Sequence, residues 1–137
     1  RVTTMQGPNP YQQYRENAVL TADQPRLALM LFEGAVRFAS EAAQHIAARD
    51  MAAAHRAIIR AQDIVEYLAA TVNTEIEVGL NLAALYDFVH TRLVEANINK
   101  DTALLGEAIG LLEQLRETWR EALDGRTGTG EAEAKGE

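Results

Sequence analysis

The sequence predicts an all-α protein: an antiparallel up-down four-helix bundle preceded by a short helical segment. Three observations predict it. Apolar residues recur every three or four positions along four long stretches, and no alternating strand pattern competes with them. Short polar links with helix-capping residues separate the stretches, which makes consecutive helices antiparallel neighbours. The chain of 137 residues is 47% hydrophobic and 24% charged, which suits one domain with a real core.

Residues 1–8 contain Gly7 and Pro8 and have no periodicity, so they read as a flexible leader. Asn9 as N-cap and Pro10 at the first helical position open a short helix to Asn17 that carries Tyr11 and Tyr14. It is too short to hold alone and must dock or fray. The first long helix is expected from about Asp23 to Ala48. Leu27, Met30, Leu31, Ala35, Phe38, Ala42 and Ile46 form one stripe on it, and Leu29, Phe32, Val36, Ala39 and Ala43 a second. Two stripes exceed the apolar arc of an ordinary surface helix, so this helix is deeply buried or carries a docking surface.

Asp50 caps the second helix, Met51 to about Asn73, which turns Ala54, Ile58, Ala61, Ile64, Val65, Leu68 and Val72 inward and leaves Ile59 off the stripe. Thr74 to Gly79 reads as a turn. The third helix follows to about Asn97, with Leu82, Leu85, Tyr86, Val89, Leu93 and Ala96 as its core stripe. Leu80, Ala84, Phe88 and Val94 fall outside that stripe. Asp101 caps the fourth helix, Thr102 to about Leu123, whose stripe of Leu104, Leu105, Ala108, Leu111, Leu112, Leu115, Trp119 and Ala122 is clean. Gly106 and Gly110 lie on its outer side. The bundle is thus expected over 9–123, and residues 124–137, without an apolar anchor, as a disordered tail.

The net charge of -7 argues against a nucleic-acid surface. The absence of cysteine removes disulfides and thiolate metal sites. No apolar run is long enough to span or insert into a membrane, and no signal-peptide core follows the first residues, so the expected location is cytoplasmic. A carboxylate-bridged metal bundle needs Glu-x-x-His on two helices. His45, His55 and His90 each lack a Glu three residues before, and the pair Glu41 and His45 stands alone. A phosphotransfer bundle shows an exposed His with Lys and Gly soon after, unlike His90-Thr91-Arg92-Leu93 or His55-Arg56-Ala57-Ile58. No phosphate loop or partnered nucleophile is present. The expectation is therefore no enzyme, no cofactor and no metal, but a helical binding module. Its surplus apolar residues (Leu29, Phe32, Val36, Ile59, Leu80, Phe88, Val94) either tighten the bundle, seal a homodimer, or receive an amphipathic segment in grooves between helices.

Several runs, in order, carry a resemblance. They are Asn9-Pro10-Tyr11-Gln12-Gln13-Tyr14, Leu29-Met30-Leu31-Phe32-Glu33-Gly34-Ala35-Val36-Arg37, Arg60-Ala61-Gln62-Asp63-Ile64-Val65, Asn81-Leu82-Ala83-Ala84-Leu85-Tyr86-Asp87, Arg92-Leu93-Val94-Glu95-Ala96-Asn97 and Leu115-Arg116-Glu117-Thr118-Trp119. From Asn9 to Leu123 the chain resembles the bacterial flagellin export chaperone family, FliS. Phe32 stands where the family usually has Tyr, and the Thr21–Gln24 and Thr74–Gly79 segments differ from its usual turns.

The resemblance implies a cytoplasmic bundle of the flagellar type III secretion system. Such a chaperone binds the disordered C-terminal segment of flagellin, blocks premature polymerisation and keeps the cargo export-competent. Contacts with the export apparatus and other flagellar regulators, and a homodimer without flagellin, are the further partners it suggests. Ile59, Ala84, Phe88 and Thr91 are expected in the flagellin groove. Gln62, Asp63, Asn81 and Arg92 are expected at its edges, and Tyr11 and Tyr14 in a displaceable N-terminal lid. The alternative is a helical adaptor or homo-oligomeric bundle with another protein partner.

Overall fold

The structure, a computed structural model, describes residues 24–136, with side chains for 25–124. Four helices account for nearly all of it: α1 (Gln24–Ala47), α2 (Met51–Thr71), α3 (Glu77–Asn99) and α4 (Thr102–Gly136). The expected segment with Tyr11 and Tyr14, and the leader before it, lie outside the described residues. α1 packs on α2 and α4, and α3 packs on the same two, so the helices form a closed ring in which α1 and α3 meet only through side chains at the centre, such as Phe32 and Tyr86. Consecutive helices run antiparallel. His55 early in α2 meets Asn97 late in α3, while Glu66 meets His90 further along.

Two of the three links use the same local device. Arg49 takes a left-handed conformation (φ 64°), and the Arg49 and Asp50 N–H groups donate to Ile46 and His45 carbonyls at the end of α1. Asp50 then caps α2 by accepting from the Ala53 N–H at 3.1 Å. Lys100 (φ 51°) and Asp101 repeat this between α3 and α4, with Asp101 accepting from Ala103 and Leu104. The Lys100 ammonium also covers the Asn97 carbonyl at 2.7 Å. The α2–α3 link differs. Asn73 Oδ1 accepts from the Glu75 N–H, and the Asn73 carbonyl lies against Gly79, where a Cβ would come within 1.6 Å of that oxygen. Gly79 is therefore the second residue after Glu77 in α3 and not the end of a turn, and only a missing side chain lets the link fold back over the helix.

The core is built from Phe32, Ile58, Val65, Val89, Leu93, Leu105 and Leu112, with Ala35, Ala39, Ala42, Ala54, Ala61, Ala96 and Ala108 letting the helices approach. Gly34 shares in this, because a Cβ there would sit 3.3 Å from Ile64 Cδ1. Phe32 lies at the centre, 5.3 Å from the Trp119 ring and 6.3 Å from the Tyr86 ring.

Of the two fates open to the second stripe of α1, Phe32 and Val36 take burial, because the two stripes adjoin and merge into one wide buried arc. Two expectations need correction. Met30 leaves the stripe and is 61% exposed, and Ala122 is exposed as well. The backbone of α4 stays helical to Gly136, past the expected end near Leu123. A helix already docked adds one hydrogen bond for each further residue, and no proline stops it.

Candidate functional site

The site residues expected from sequence fall on two helices. His55, Ile59, Gln62 and Glu66 follow the i, i+4, i+7, i+11 spacing of one helix edge. His55 and Glu66 both reach α3, through Asn97 (2.9 Å) and His90 (2.7 Å). Half-buried Ile59 and Gln62 therefore line the α2–α3 groove, and exposed Asp63 stands just outside it. In this groove a cavity of about 430 Å³ is bounded by Val65, Glu66, Ala69, Tyr86, Asp87 and His90. Tyr86 is almost fully enclosed, and its burial raises the phenol pKa from 10.0 to about 12.

The residues expected from α3 face elsewhere. Arg92 stacks its guanidinium over the Phe88 ring at 4.7 Å and pairs with Glu95 at 2.6 Å. Its Nε lies 3.1 Å from Glu107 on α4, in a geometry too poor for a hydrogen bond. Phe88 and Arg92 therefore belong to the α4 side. Ala84 and Asn81, one and two turns earlier, follow the same edge and are exposed, as is Thr91 on the crest of the helix. The eight residues do not form one groove. They border two, with α3 as the ridge between them.

That ridge carries what the sequence reading only half identified. Leu80, Ala84, Phe88, Thr91, Val94 and Ile98 are spaced i+4, i+4, i+3, i+3, i+4, a continuous stripe on the side opposite Tyr86, Val89, Leu93 and Ala96. Leu80, Phe88 and Ile98 are 56%, 44% and 74% exposed. Ile98 was missed. Its signal was present in the 18-residue spacing from Leu80, five turns of helix.

Two amide oxygens at the site are left without partners. Gln62 Oε1 and Asn97 Oδ1 are shielded from solvent and make no hydrogen bond, while Arg92 Nε keeps only its ion pair with Glu107. Leaving such a group unpaired costs about 1–3 kcal/mol. The arrangement can hold a chain by apolar contact and amide pairing. It has no nucleophile with a partnered base. Among the described residues no group of three or more His, Asp or Glu could hold a metal ion. Nor is any described helix long and apolar enough to cross a membrane.

Comparison with known proteins fits this geometry. The family model described as flagellar protein FliS matches residues 7–126. A flagellar secretion chaperone FliS from Bacillus subtilis is 40% identical over 84% of this chain and 86% of its own length. One from Salmonella typhimurium is 33% identical over 77% and 81%. A flagellar secretion chaperone FliSB from Pseudomonas aeruginosa is 30% identical over 84% and 94%. With a family match across nearly the whole bundle and relatives aligned over most of both chains, this chain belongs to the FliS family of flagellar secretion chaperones.

Proposed function

We propose that this chain is a cytoplasmic chaperone that binds the disordered C-terminal segment of flagellin, prevents its premature polymerisation and keeps it export-competent. The observation that carries this reading is the outward apolar stripe of α3, flanked by a groove on each side. A segment that folds on binding must offset its ordering cost over a long apolar surface. The stripe with its two grooves is such a surface, and the relatives named as flagellar secretion chaperones supply the class of cargo.

In this reading apolar residues of flagellin lie over Leu80, Ala84, Phe88 and Ile98, with Ile59 and Thr91 at the groove walls. Gln62 turns its unpaired oxygen outward to accept a backbone N–H of the cargo. Arg92, Asn81 and Asp63 meet polar groups along the edges. Tyr11 and Tyr14 act as a lid that the cargo displaces.

Titration calorimetry with a flagellin C-terminal peptide tests the proposal. The wild-type chain binds, and Phe88→Ala and Ile59→Asp, folded by circular dichroism, bind on the order of tenfold or more weakly. Undiminished binding removes the residue concerned from the site. No heat with the unmodified chain rejects the cargo and favours a helical adaptor or homo-oligomer. Deleting residues 1–17 should raise the association rate, and an unchanged or slower rate rejects the lid.

A further inference from the structure

The opposite edge of α2 carries a surface of different chemistry. Phe38 of α1 lies under two guanidinium groups, Arg37 at 4.9 Å and Arg60 of α2 at 5.5 Å from its ring centre. Arg56 stands one turn before Arg60 and lines the same cavity, about 410 Å³, with Phe38, Glu41, His45 and Asp50. Arg92 and Arg120 each bind two carboxylates, but among the described residues Arg37, Arg56 and Arg60 form no ion pair. All three are exposed.

The register of this seam extends the surface. Gly34 faces Ile64 across it, at 3.3 Å from a built Cβ to Ile64 Cδ1. One turn further along each helix stand Met30 and Tyr67, 61% and 41% exposed. An exposed methionine and tyrosine thus continue a groove whose middle holds three free arginines. The chain as a whole has a net charge of -7, whereas here three arginines without ion pairs stand against the two carboxylates of Glu41 and Asp50.

We infer that the α1–α2 groove is a docking site for an acidic amphipathic segment of a partner protein. The segment's carboxylates pair with Arg37, Arg56 and Arg60, and its apolar side covers Phe38, Met30 and Tyr67. Arginine suits this role because its planar fork binds carboxylates bidentately while its face stays stacked on an aromatic ring. Charge complementarity favours a peptide over a polyphosphate. Glu41 and Asp50 sit in the same cavity, and a nucleic-acid backbone would bring phosphates onto both. A peptide can place its acids only where the arginines are. The groove shares no residue with the α3 stripe, so the chaperone could hold this partner and its cargo together.

Fluorescence anisotropy on the full chain tests the inference. The probe is a labelled helical peptide with Glu along one face and Leu along the other. It should bind, weaken steeply with added salt, and lose affinity on the order of tenfold with R37E/R60E. The same peptide with every Glu replaced by Gln should bind the unmodified chain at least tenfold more weakly, a readout independent of how the variant folds. Equal binding of the Gln peptide, no binding of the Glu peptide, or binding unaffected by R37E/R60E overturns the proposal. So does tighter binding of a single-stranded RNA that the same substitutions abolish.

Discussion

α1 and α3 both carry more apolar residues than one buried face requires, and the bundle treats them in opposite ways. On α1 the two stripes adjoin, so the helix turns one broad arc inward and both α2 and α4 cover it. Phe32, Val36 and Ala39 vanish from solvent beside Ala35 and Ala42. On α3 the second stripe lies opposite the first. No rotation of that helix can bury both, because α2, α4 and, across the core, the Phe32 side of α1 all lie on one side of it. Leu80, Phe88 and Ile98 therefore stay in water. What matters is the angle between stripes more than the number of apolar residues. Adjacent stripes make a wide core face, and opposed stripes make a core face and an exposed apolar face.

The sharpest way to break this comparison is to truncate one aromatic on each helix. Phe32→Ala should cost about 3–5 kcal/mol in urea unfolding, since it empties the centre of the core between Trp119 and Tyr86. Phe88→Ala should cost under about 1 kcal/mol while weakening flagellin-peptide binding. Equal losses of stability would dissolve the distinction between the two helices.

Gly79→Ala asks whether the start of α3 is held by the close approach of Asn73. The added Cβ meets a backbone carbonyl, which cannot swing aside as a side chain would. A loss of about 2–4 kcal/mol is expected, against about 1 kcal/mol or less of gain at open Gly106, where Ala only improves helix propensity.

Tyr86 reports the inner side of α3 through pH. Its pKa is raised from 10.0 in water to about 12 by burial. Between those values the unfolded chain has lost a proton that the folded chain keeps. Stability is thus full below pH 10 and falls as pH climbs toward 12, by roughly 2–3 kcal/mol. Denaturant titrations across that range should show the fall, and Tyr86→Phe should flatten it. An equally steep fall in Tyr86→Phe would place the loss elsewhere.

The smallest effect tests the links. Arg49→Gly relieves a left-handed non-glycine residue, and a gain of about 0.5–1 kcal/mol is expected in thermal melts. Lys100→Gly should gain less, because it also removes the hydrogen bond to the Asn97 carbonyl. A loss at Arg49 would mean that its side chain contributes more than its backbone costs.

Much of this was legible in the sequence. The core stripes of α2 and α3 and the caps Asp50 and Asp101 followed from spacing and residue type alone. The family followed from ordered runs such as Asn81-Leu82-Ala83-Ala84-Leu85-Tyr86-Asp87. Ile59 and Phe88 were legible as residues that one core does not need, and Gln62 only through the family resemblance. Their division between two grooves was not, because it depends on which neighbour each helix edge meets. The fates of Met30 and Phe32 were hidden for the same reason.

The sequence by itself determined four amphipathic helices, their order, their antiparallel linkage and the presence of surplus apolar surface, since these rest on periodicity and local capping. The tertiary structure alone decided which surplus was buried and which was left on the α3 ridge. It also decided that Gly79 sits beneath the Asn73 carbonyl, and that Arg37 and Arg60 converge on Phe38. Burial and convergence are properties of neighbours, and a chain acquires its distant neighbours only when the helices close into a ring.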